Sequence, residues 1–430
     1  MSTPDRAAAA QGPWDLAVVG LGYVGLPLVE EAVKRGLKVV GLDLDLAKVD
    51  GLNAGRSHID DLSDATVAQL VAQGFRATND DAVLSESDAV VICVPTPLDE
   101  DNSPDLGAVV GSTRAIARHL HKGQLVVLES TTWPGTTDEV VKPILEEGGL
   151  RAGVDFNLAY SPERIDPGNA TYGLRNTPKV VGGLSEGCRD RAAAFYGQFI
   201  DTVVPVVGLR EAEMTKLLEN TYRHVNIALV NEMAIFCDEL GIDLWEAINA
   251  AATKPFGFQA FRPGPGVGGH CIPIDPNYLS YTVRKLGYPF RMVELAQEVN
   301  ERMPNYVAQR IQRVLNDLSR SVRGSKVLLL GITYKADIAD ERETPALPLV
   351  RRLRTLGADI TYADPYVASW DVDGEPVTPH SDAVAAAKAA DIVVLLQPHA
   401  KFDLDSIVVA SRMLLDTRGI VTPSANVERL

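Results

Sequence analysis

The feature that most limits the fold of this chain is a short apolar run that ends in glycine and leads into a segment of helical length. Residues 15–25 read D-L-A-V-V-G-L-G-Y-V-G, and residues 38–43 repeat the apolar pattern as K-V-V-G-L-D. Similar runs occupy residues 89–94 and 125–129, with amphipathic stretches of helical length between them. Strands that alternate with helices build parallel sheets covered on both faces. The first part of the chain is therefore predicted to be a doubly wound α/β domain.

The middle and the end of the chain have different patterns. Residues 211–239 show long helical periodicity without glycine, Gly241 interrupts it, and a second helix is expected to begin near Asp243. Another helical stretch covers about residues 292–319, and then the strand–helix alternation returns. We therefore predict a second doubly wound α/β domain after the helical segment. Its apolar runs are residues 326–331, 358–362, 391–396 and 413–416.

Length and charge exclude several classes of protein. At 430 residues the chain is too long for a single core, so two or three domains are expected. The formal net charge of −16 opposes binding to nucleic acid or to anionic membranes, although a small anionic substrate can still bind at local cations or helix N-termini. No stretch resembles a signal peptide or a membrane span, so a cytoplasmic location is expected. The four cysteines are widely separated, which predicts neither a disulfide framework nor a metal site.

The glycine turn after the first predicted strand is a candidate cofactor site. Its G-x-G-x-x-G pattern places backbone amides where they can approach a pyrophosphate, and Asp43 follows 18 positions after Gly25. A carboxylate there can bind a ribose diol and repels a 2′-phosphate, which favours NAD over NADP. The alternative is a tight strand–helix turn without a ligand. The candidate residues are Gly20, Gly22, Tyr23, Val24, Gly25 and Asp43.

Two further loops follow predicted strands at the edge of the sheet where open α/β folds bind ligands. They are V-P-T-P at residues 94–97 and S-T-T-W-P-G at residues 130–135. We expect their polar groups to face the cofactor or the substrate, although such turns are more often plain loops when taken singly. The candidate residues are Pro95, Thr96, Ser130 and Thr131.

The most informative segment is P-G-P-G-V-G-G-H-C-I-P-I-D at residues 263–275, within a long predicted loop at residues 254–276. A glycine- and proline-rich path that ends in a His-Cys pair suits a thiolate nucleophile at Cys271, with Asp275 to orient a water or polar group. An average cysteine is a small buried apolar residue, and we assign that role to the others. They are Cys93 in a strand, Cys188 in a loop and Cys237 on a helix.

Three polar residues outside that loop are also candidates. Lys216 and Asn220 lie four residues apart on one predicted helix face, where an ammonium and an amide can converge on an oxyanion. A solvated helix face is the alternative. Glu163, in S-P-E-R after the predicted strand at residues 157–160, has the position of a general base, and an ordinary salt bridge is equally compatible with this fragment.

The motifs resemble, in their order along the chain, those of a known family. They are G-x-G-Y-V-G, V-P-T-P, S-T-T-x-P-G-T-T, S-P-E-R, the Lys216/Asn220 helix, G-x-G-G-H-C-I-P-x-D-P and G-I-T-Y-K. The chain resembles the UDP-glucose/GDP-mannose dehydrogenase family from about residue 16 to about residue 419. The resemblance implies two Rossmann-like domains joined by a helical segment with a long central helix, through which two subunits dimerise. The implied domains are residues 1–208 for NAD, 209–320 for dimerisation and 321–430 for the UDP-sugar.

The resemblance also implies a four-electron oxidation with NAD as the hydride acceptor. In the family, sugar C6 loses a hydride to give an aldehyde, and a cysteine adds to that aldehyde. A second hydride loss gives a thioester, which water hydrolyses to the acid. The residues that match this chemistry are Cys271 as nucleophile, Lys216 and Asn220 at the oxyanions, Asp275 beside them, and Glu163 with Thr131 for water activation and proton transfer.

Within the family, the sequence around the site is most similar to that of the branch that oxidises UDP-N-acetylhexosamines. UDP-N-acetylglucosamine is the first candidate substrate. UDP-glucose enzymes usually read S-P-E-F-L-x-E, whereas Pro167 stands here in place of the second acid. UDP-glucose and UDP-N-acetylmannosamine stay open as substrates. The resemblance implies that Arg342 reaches the substrate from a neighbouring subunit, and an ordinary surface arginine is the alternative. The candidate substrate-binding residues are Glu163, Arg164, Lys216, Asn220, Arg262, Gly268, Lys335 and Arg342.

Two other function classes remain to be weighed against this prediction. A two-electron hydroxyacid dehydrogenase could use Lys216 and Asn220 but leaves the Cys271 loop and the last α/β domain unexplained. A catalytically silent NAD-binding protein is the other class. The presence of Cys271, Lys216, Asn220 and Asp275 argues against it.

Overall fold

The structure, a computed structural model, describes residues 13–59, 62–97, 104–165, 169, 171–269 and 271–430. Pro167 and His270 lie outside the described residues, and the side chain of Cys271 is not described. The chain divides into two compact units, Met1–Glu219 and Asn220–Leu430.

The first unit is built on an eight-stranded sheet with the strand order β3-β2-β1-β4-β5-β6-β7-β8. Among the described residues, its strand pairs are parallel except for β6 with β7, which is antiparallel. The strands are β1 (Trp14–Val19), β2 (Val39–Leu42), β3 (Arg76–Thr78), β4 (Ser87–Ile92), β5 (Leu125–Leu128), β6 (Asn157–Tyr160), β7 (Lys179–Gly183) and β8 (Val203–Pro205).

Helices surround this sheet, and one of them contains Cys188, which was predicted to lie in a loop. Cys188, which we expected in a loop, lies in the first turn of a helix capped by Ser185, whose Oγ accepts a hydrogen bond from the Cys188 N–H. A 3₁₀ turn (Asp81–Glu86) and a π-helical turn (Thr137–Val141) complete the set. The α-helices are α1 (Gly25–Lys34), α2 (Leu46–Asn53), α3 (Asp64–Ala72), α4 (Gly107–His119), α5 (Lys142–Glu146), α6 (Glu186–Tyr196) and α7 (Leu209–Leu240), of which α7 belongs to the second unit from Asn220 onward.

Both faces of the first sheet are buried, as the central strand β1 shows. Leu16 and Val18 belong to one apolar cluster, whereas Ala17 and Val19 belong to a second cluster on the other face. Each fully buried Leu or Val side chain stabilises the fold by about 1.5–3 kcal/mol. A strand buried on both faces reads as a continuous apolar run, which is why the sequence predicted β1, β2, β4 and β5.

The second unit begins with helices and ends in a seven-stranded sheet with the order β11-β12-β10-β9-β13-β14-β15. Only the edge pair of β11 with β12 is antiparallel among the strand pairs of this sheet in the described residues. The helices after α7 are α8 (Leu244–Ala252), α9 (Cys271–Lys285), α10 (Arg291–Asp317), α11 (Ala346–Leu356), α12 (Ala383–Ala389) and α13 (Leu404–Ala410). The strands are β9 (Lys326–Leu330), β10 (Asp359–Ala363), β11 (Trp370–Val372), β12 (Glu375–Pro379), β13 (Ile392–Leu395), β14 (Leu414–Asp416) and β15 (Val427–Arg429).

Helix α9 shortens the long loop that the sequence predicted at residues 254–276. The helix already begins at Cys271, with Pro276 inside it. The first backbone N–H groups of a helix have no carbonyl partner within the helix, so Pro273 removes no hydrogen bond there. Cys271 and Asp275 are therefore helical residues one turn apart.

The predicted pair of doubly wound α/β sheets with a helical segment between them in sequence is confirmed. The long helix α7 has 32 residues. The division into three domains at residues 208 and 320 stays a prediction. No helix in the described residues is long and apolar enough to cross a lipid bilayer.

Candidate active site

The glycine turn after β1 has the shape that a pyrophosphate needs. Gly20 has a φ of +93°, and a Cβ there would lie 2.7 Å from the carbonyl oxygen of Cys93. A Cβ on Gly25 would lie 1.9 Å from the Gly20 oxygen, whereas a Cβ on Gly22 would have no atom within 4 Å. The first and last glycines are thus required by packing, and Gly22 borders open space. Backbone amides at the start of α1 can therefore approach a phosphate, and the half-buried Tyr23 and Val24 lie in the same turn.

Asp43 lies directly after β2 and is tied to the same turn. Its Oδ2 accepts a hydrogen bond from the Leu21 N–H at 3.0 Å, and its Oδ1 accepts one from the Asp45 N–H at 3.0 Å. Each carboxylate oxygen can accept a further bond, so the two hydroxyls of a ribose fit this group. The turn and the carboxylate together fit NAD.

The loops after β4 and β5 lie side by side, because the two strands are neighbours. The N–H of Ser130 donates to the Ile92 carbonyl at 3.2 Å, and its Oγ donates to the Val94 carbonyl at 2.7 Å. Thr96 and Ser130 are buried, Thr131 is half-buried and Pro95 is exposed.

Thr132, which the sequence analysis passed over, lies in the second of these loops. Its Oγ1 is buried and has no hydrogen-bond partner among the described residues. A buried hydroxyl left unpaired is expected to find a partner in a bound ligand or water. The S-T-T triplet does not indicate by itself which of its two threonines has this property.

Glu163 and Lys216 form a buried ion pair in the first unit. Lys216 Nζ lies 3.4 Å from Glu163 Oε2, and the two residues are 6% and 8% exposed. The Ile165 N–H donates to the other carboxylate oxygen of Glu163. Burying two charges is costly unless they pair, so this arrangement holds an ammonium beside a carboxylate where water is largely excluded. Such a pair can take up a proton and stabilise an oxyanion.

Arg164, also a predicted substrate-binding residue, makes several contacts with the protein. Its Nε and Nη2 donate to both carboxylate oxygens of Glu219 at 3.1 and 2.5 Å, and its Nη1 donates to the Pro178 carbonyl at 2.5 Å. Glu219 lies on α7, three residues after Lys216. The Arg164 contacts therefore tie the loop that contains Glu163 to the helix that contains Lys216.

Asn220 and Asp275 form the corresponding contact in the second unit. Asn220 Nδ2 donates to Asp275 Oδ2 at 2.6 Å, and the two residues are 7% and 2% exposed. Cys271 is the first residue of α9, one turn before Asp275. Unpaired amides at a helix N-terminus favour negative charge. The structure thus brings Asn220 to the carboxylate on the helix that begins with Cys271.

Three further candidate residues for the sugar nucleotide, Arg262, Gly268 and Arg342, have neighbours within the second unit. Arg262 is exposed, donates to Asn249 Oδ1 at 2.5 Å and lies over the Trp245 ring. Arg342 is exposed and pairs with Asp340, with Nη2 2.5 Å from its Oδ2. Gly268 lies against the loop that contains Lys335 and Arg342, as described below.

Glu213 is a buried carboxylate that the sequence analysis did not identify. Its oxygens accept hydrogen bonds from the Gly135 N–H at 2.6 Å and from the Thr137 N–H and hydroxyl at 2.9 and 2.7 Å. Burial raises the pKa of Glu213 to about 7, although these hydrogen bonds act to lower it. The side chain fixes the loop after β5 to α7, one turn before Lys216.

A second unpredicted pair, Asp364 and His399, lies at the carboxyl ends of the inner strands β10 and β13. Asp364 Oδ2 accepts from the Ile332 N–H at 2.8 Å and from His399 Nε2 at 3.0 Å, while the Asp337 N–H donates to His399 Nδ1 at 2.9 Å. Burial alone would raise the pKa of Asp364, but hydrogen bonds from His399 and from backbone N–H groups, including that of Tyr366, lower it.

The other three cysteines have the surroundings of ordinary core residues. Cys93, Cys188 and Cys237 are unpaired and at most 7% exposed. Burial raises the pKa of the Cys93 thiol well above its ordinary value. A thiol held protonated in apolar surroundings is a poor nucleophile. This agrees with the assignment of nucleophilic character to Cys271 rather than to these residues, an assignment that stays a prediction.

Comparison with known proteins extends over nearly the whole chain. Residues 14–200, 210–302 and 328–423 match the NAD binding, central and UDP binding domains of the UDP-glucose/GDP-mannose dehydrogenase family. The NDP-N-acetyl-D-galactosaminuronic acid dehydrogenase of Ralstonia solanacearum is 37% identical over 418 residues, 94% of this chain and 96% of that protein. The UDP-N-acetyl-D-glucosamine 6-dehydrogenase of Pseudomonas aeruginosa is 35% identical, over 90% of this chain and 91% of that protein.

A solved structure agrees with these relatives. The UDP-D-ManNAc dehydrogenase of Pyrococcus horikoshii superposes with a TM-score of 0.87 at 33% identity, covering 96% of this chain and 98% of that one. The glycine turn with Asp43 fits NAD, and the domain matches extend from the cofactor domain to the UDP domain. The chain therefore belongs to the UDP-glucose/GDP-mannose dehydrogenase family and is an NAD-dependent UDP-sugar dehydrogenase.

Proposed function

We propose that this enzyme oxidises the C6 hydroxymethyl group of a UDP-N-acetylhexosamine to a carboxylate, with UDP-N-acetylglucosamine as the first candidate. The observation that carries the choice of sugar is that all three relatives described above are named for N-acetylated hexosamines or their uronic acids. The S-P-E-R-I-D-P wording, with Pro167 where UDP-glucose enzymes usually have an acid, supports the same branch. The galacto and manno epimers are the alternatives that these relatives favour.

The buried ion pair and the amide pair supply the acid–base groups of the proposed reaction. NAD, when bound, accepts hydride from the sugar carbon. The alcohol must lose its proton as the hydride leaves, and in this proposal Glu163, which lies beside Lys216, assists that transfer. Lys216 and Asn220 stabilise the oxyanion that develops, and Asp275 holds the Asn220 amide. Thr131 takes part with Glu163 in activating water.

Cys271 carries the covalent part of the proposed mechanism. Its thiolate adds to the C6 aldehyde carbon and forms a C–S bond, which gives a thiohemiacetal. Loss of a second hydride from the same carbon leaves a thioester. Water then adds to the carbonyl, the C–S bond breaks, and the thiolate and the carboxylic acid are released. The position of Cys271 as the first residue of α9 supports the thiolate form.

Cations near the C-terminal sheet are proposed to bind the anionic nucleotide. Lys335 lies in the loop after β9, and Arg342 follows in the same loop. Arg262 precedes the glycine-rich segment. Gly268 has no side chain, which allows its backbone to lie close to the loop that contains Lys335 and Arg342. Arg164 is proposed to act indirectly, since Glu219 and Pro178 engage its guanidinium. Arg342 is exposed, so it can serve a neighbouring subunit.

A homodimer is proposed from the exposed surface of α7. Six large apolar side chains on this helix are 36–67% exposed, and their spacing of four or seven residues places them on one face. A continuous apolar stripe of this kind marks a protein–protein contact more often than a solvated face. A second copy of the helix is its self-complementary partner, as in two-fold symmetric dimers. The residues are Met214, Leu218, Tyr222, Leu229, Phe236 and Leu240.

The first experiment measures NADH formed per sugar nucleotide consumed. The purified protein is offered UDP-N-acetylglucosamine, its galacto and manno epimers, and UDP-glucose in separate reactions. Two NADH per substrate with an N-acetylhexosamine is the expected result. A preference for UDP-glucose would contradict the sugar assignment, and one NADH per substrate would contradict the four-electron mechanism.

The role of the thiol is tested by Cys271→Ser, with Cys237→Ser as the matched control because Cys237 is a buried cysteine on α7. Cys271→Ser is expected to stop formation of the acid, and Cys237→Ser to retain it. Production of acid by Cys271→Ser at the parental rate would exclude covalent catalysis through this residue.

A further inference from the structure

The segment at residues 263–269, here called the glycine strap, lies against the loop at residues 331–345 of the same unit. A Cβ on Gly268 would lie 2.7 Å from both the Glu343 oxygen and the Tyr334 Cβ. A Cβ on Gly269 would lie 2.7 Å from Cε2 of the Tyr334 ring. Real Cβ atoms are essentially never found this close to another heavy atom. The Tyr334 ring therefore occupies the space that side chains of the strap would need.

Hydrogen bonds fix the strap at both of its ends. The Gly269 N–H donates to the Arg342 carbonyl at 3.3 Å, on the side of the loop. At the other end, the Gly264 N–H donates to Asn231 Oδ1 at 2.9 Å, and Asn231 Nδ2 donates to Asn300 Oδ1 at 2.9 Å. Both asparagines are at most 4% exposed. Buried amides with satisfied hydrogen bonds give the strap a single position.

The loop that contains Tyr334 is also held in place by hydrogen bonds. Gln397 Nε2 donates to the Tyr334 carbonyl at 2.7 Å, and the Thr333 hydroxyl donates to the Lys335 carbonyl at 2.7 Å. Tyr334 is bonded directly to Lys335, so a displacement of the Lys335 backbone displaces the tyrosine as well. Cys271 begins its helix two residues after Gly269. The ring is thus one contact between the loop that contains Lys335 and Arg342 and the segment that leads into α9, beside the hydrogen bond from the Gly269 N–H to the Arg342 carbonyl.

We propose that Tyr334 is a positioning residue that couples binding of a nucleoside diphosphate to the reactivity of Cys271. Anionic oxygens that bind at Lys335 and Arg342 set the backbone of the loop. The tyrosine ring, packed on Gly268 and Gly269, transmits that position to the start of α9. This inference rests on the proposed roles of Lys335, Arg342 and Cys271.

The direct test compares alkylation of Cys271 by iodoacetate with and without UDP, read by mass spectrometry of the Cys271 peptide. UDP lacks the hexose and leaves the place of the reacting sugar open. In the parent enzyme UDP is expected to accelerate alkylation by about threefold or more, because an ordered helix start holds more of the thiol as thiolate. Tyr334→Phe is expected to keep that response, since it keeps the ring.

Tyr334→Ala is expected to lose the response to UDP while its Kd for UDP stays within roughly threefold of the parent value. A parental response in Tyr334→Ala would overturn the proposal. So would a parent enzyme that binds UDP without any change in Cys271 alkylation, and that result would leave the proposed function intact. Full activity after complete alkylation of Cys271 would instead overturn the proposed function.

A second variant keeps the test valid if Tyr334→Ala does not fold. Gly269→Ala places a methyl group against the Tyr334 ring at a φ of +80°, and Gly287→Ala is its matched control because Gly287 has a φ of +84° with no atom within 4 Å of a Cβ. Both changes carry the same backbone strain. Only Gly269→Ala is expected to lower kcat, by about tenfold or more, while UDP affinity is retained. Equal kcat values for the two variants would contradict the coupling.

Discussion

Each of the two sheets has a glycine turn with a carboxylate bonded to it. The two carboxylates differ in the other groups that they bind. In the first sheet β1 leads into Gly20, and Asp43 after β2 accepts a hydrogen bond from the Leu21 N–H at 3.0 Å. In the second sheet β9 leads into Gly331, and Asp364 after β10 accepts one from the Ile332 N–H at 2.8 Å. Both glycines have positive φ values, +93° and +74°.

The difference arises from the strand on the other side of the turn. After β4 comes V-P-T-P, which leaves the carboxylate of Asp43 bonded to backbone N–H groups and open to a ribose. After β13 comes Q-P-H, and the His399 ring donates to Asp364, whose side chain has no exposed surface. The same turn can therefore bind a nucleotide or stabilise its own domain. In the second sheet the His399 ring from the loop after β13 bonds to the Asp364 carboxylate.

The largest effect that this comparison predicts is on stability, at Asp364. Asp364→Ala would leave buried donors of Ile332, Tyr366 and His399 without their acceptor, so we expect the free energy of unfolding to fall by about 3–5 kcal/mol. Asp359→Ala, at the exposed start of β10, is the control with little expected change. Denaturant unfolding measures both. A decrease under about 1 kcal/mol for Asp364→Ala would mean that the carboxylate is not a structural group.

Gly331 and Gly22 are expected to have different roles, since Gly331 is required by packing and Gly22 borders open space where a ligand can bind. Gly331→Ala would place a Cβ 2.6 Å from Gln397 Cβ at a positive φ, so a loss of about 2–4 kcal/mol in the free energy of unfolding is expected. Gly22→Ala meets open space, so the fold should be unaffected while NAD affinity falls by about tenfold. Thermal unfolding and NAD titration of both variants provide the check. If both lost stability equally, the open space at Gly22 would have no functional meaning.

Asp43 is expected to affect cofactor binding rather than folding. Asp43→Ala should weaken NAD binding by roughly 10–100-fold, or about 1.4–2.7 kcal/mol, because the ribose hydroxyls lose their acceptor. The discrimination against NADP should decrease in the same variant, since a carboxylate repels a 2′-phosphate. Asp50→Ala, on the exposed side of α2, is the control. Unchanged NAD affinity in Asp43→Ala would remove the contrast with Asp364.

The last predicted effect concerns pH, and it has opposite signs for two buried carboxylates. The pKa of Glu213 is raised from 4.5 to about 7, so its stabilising contribution is complete below pH 4.5 and is lost as pH rises through 7. The pKa of Asp364 is lowered from 3.8, so its contribution is present above pH 3.8 and is lost as pH falls through the lowered value. Glu213→Gln should flatten the stability profile between pH 4.5 and 7, because a glutamine side chain does not titrate.

Denaturant midpoints measured across that pH range provide the test for Glu213→Gln. Glu211→Gln is the control, since Glu211 is exposed on the same helix. A slope for Glu213→Gln that matches the parent protein would show that Glu213 does not titrate in this range.

The sequence predicted the central strands because they are buried on both faces and read as apolar runs. It missed β3, β7, β8, β11, β12 and β15, which lie at or near the sheet edges, and β12 is mostly exposed. It also missed the start of α9, because two prolines within six residues suggested a loop. Backbone geometry at a helix N-terminus accepts proline, and the composition does not reveal that.

For the site, the local motifs were predictable and the long-range contacts were not. Glycine spacing located the cofactor turn, but it did not distinguish Gly22, which borders open space, from Gly269, which lies against the Tyr334 ring. Asp364 and His399 are 35 residues apart, and only the fold brings them together. Partners separated in this way leave no periodic pattern in one sequence. The catalytic roles of Cys271 and its neighbours stay predictions.

The apolar stripe on α7 also determines how the protein should behave in the laboratory. In the proposed homodimer, dilution, heating or a deletion that separates the two copies would expose six large apolar side chains to water at once. The separated monomer is then expected to aggregate rather than to remain stable. Assays at very low enzyme concentration would lose activity with time, and that loss would be mistaken for inactivation of the thiol unless protein concentration were varied.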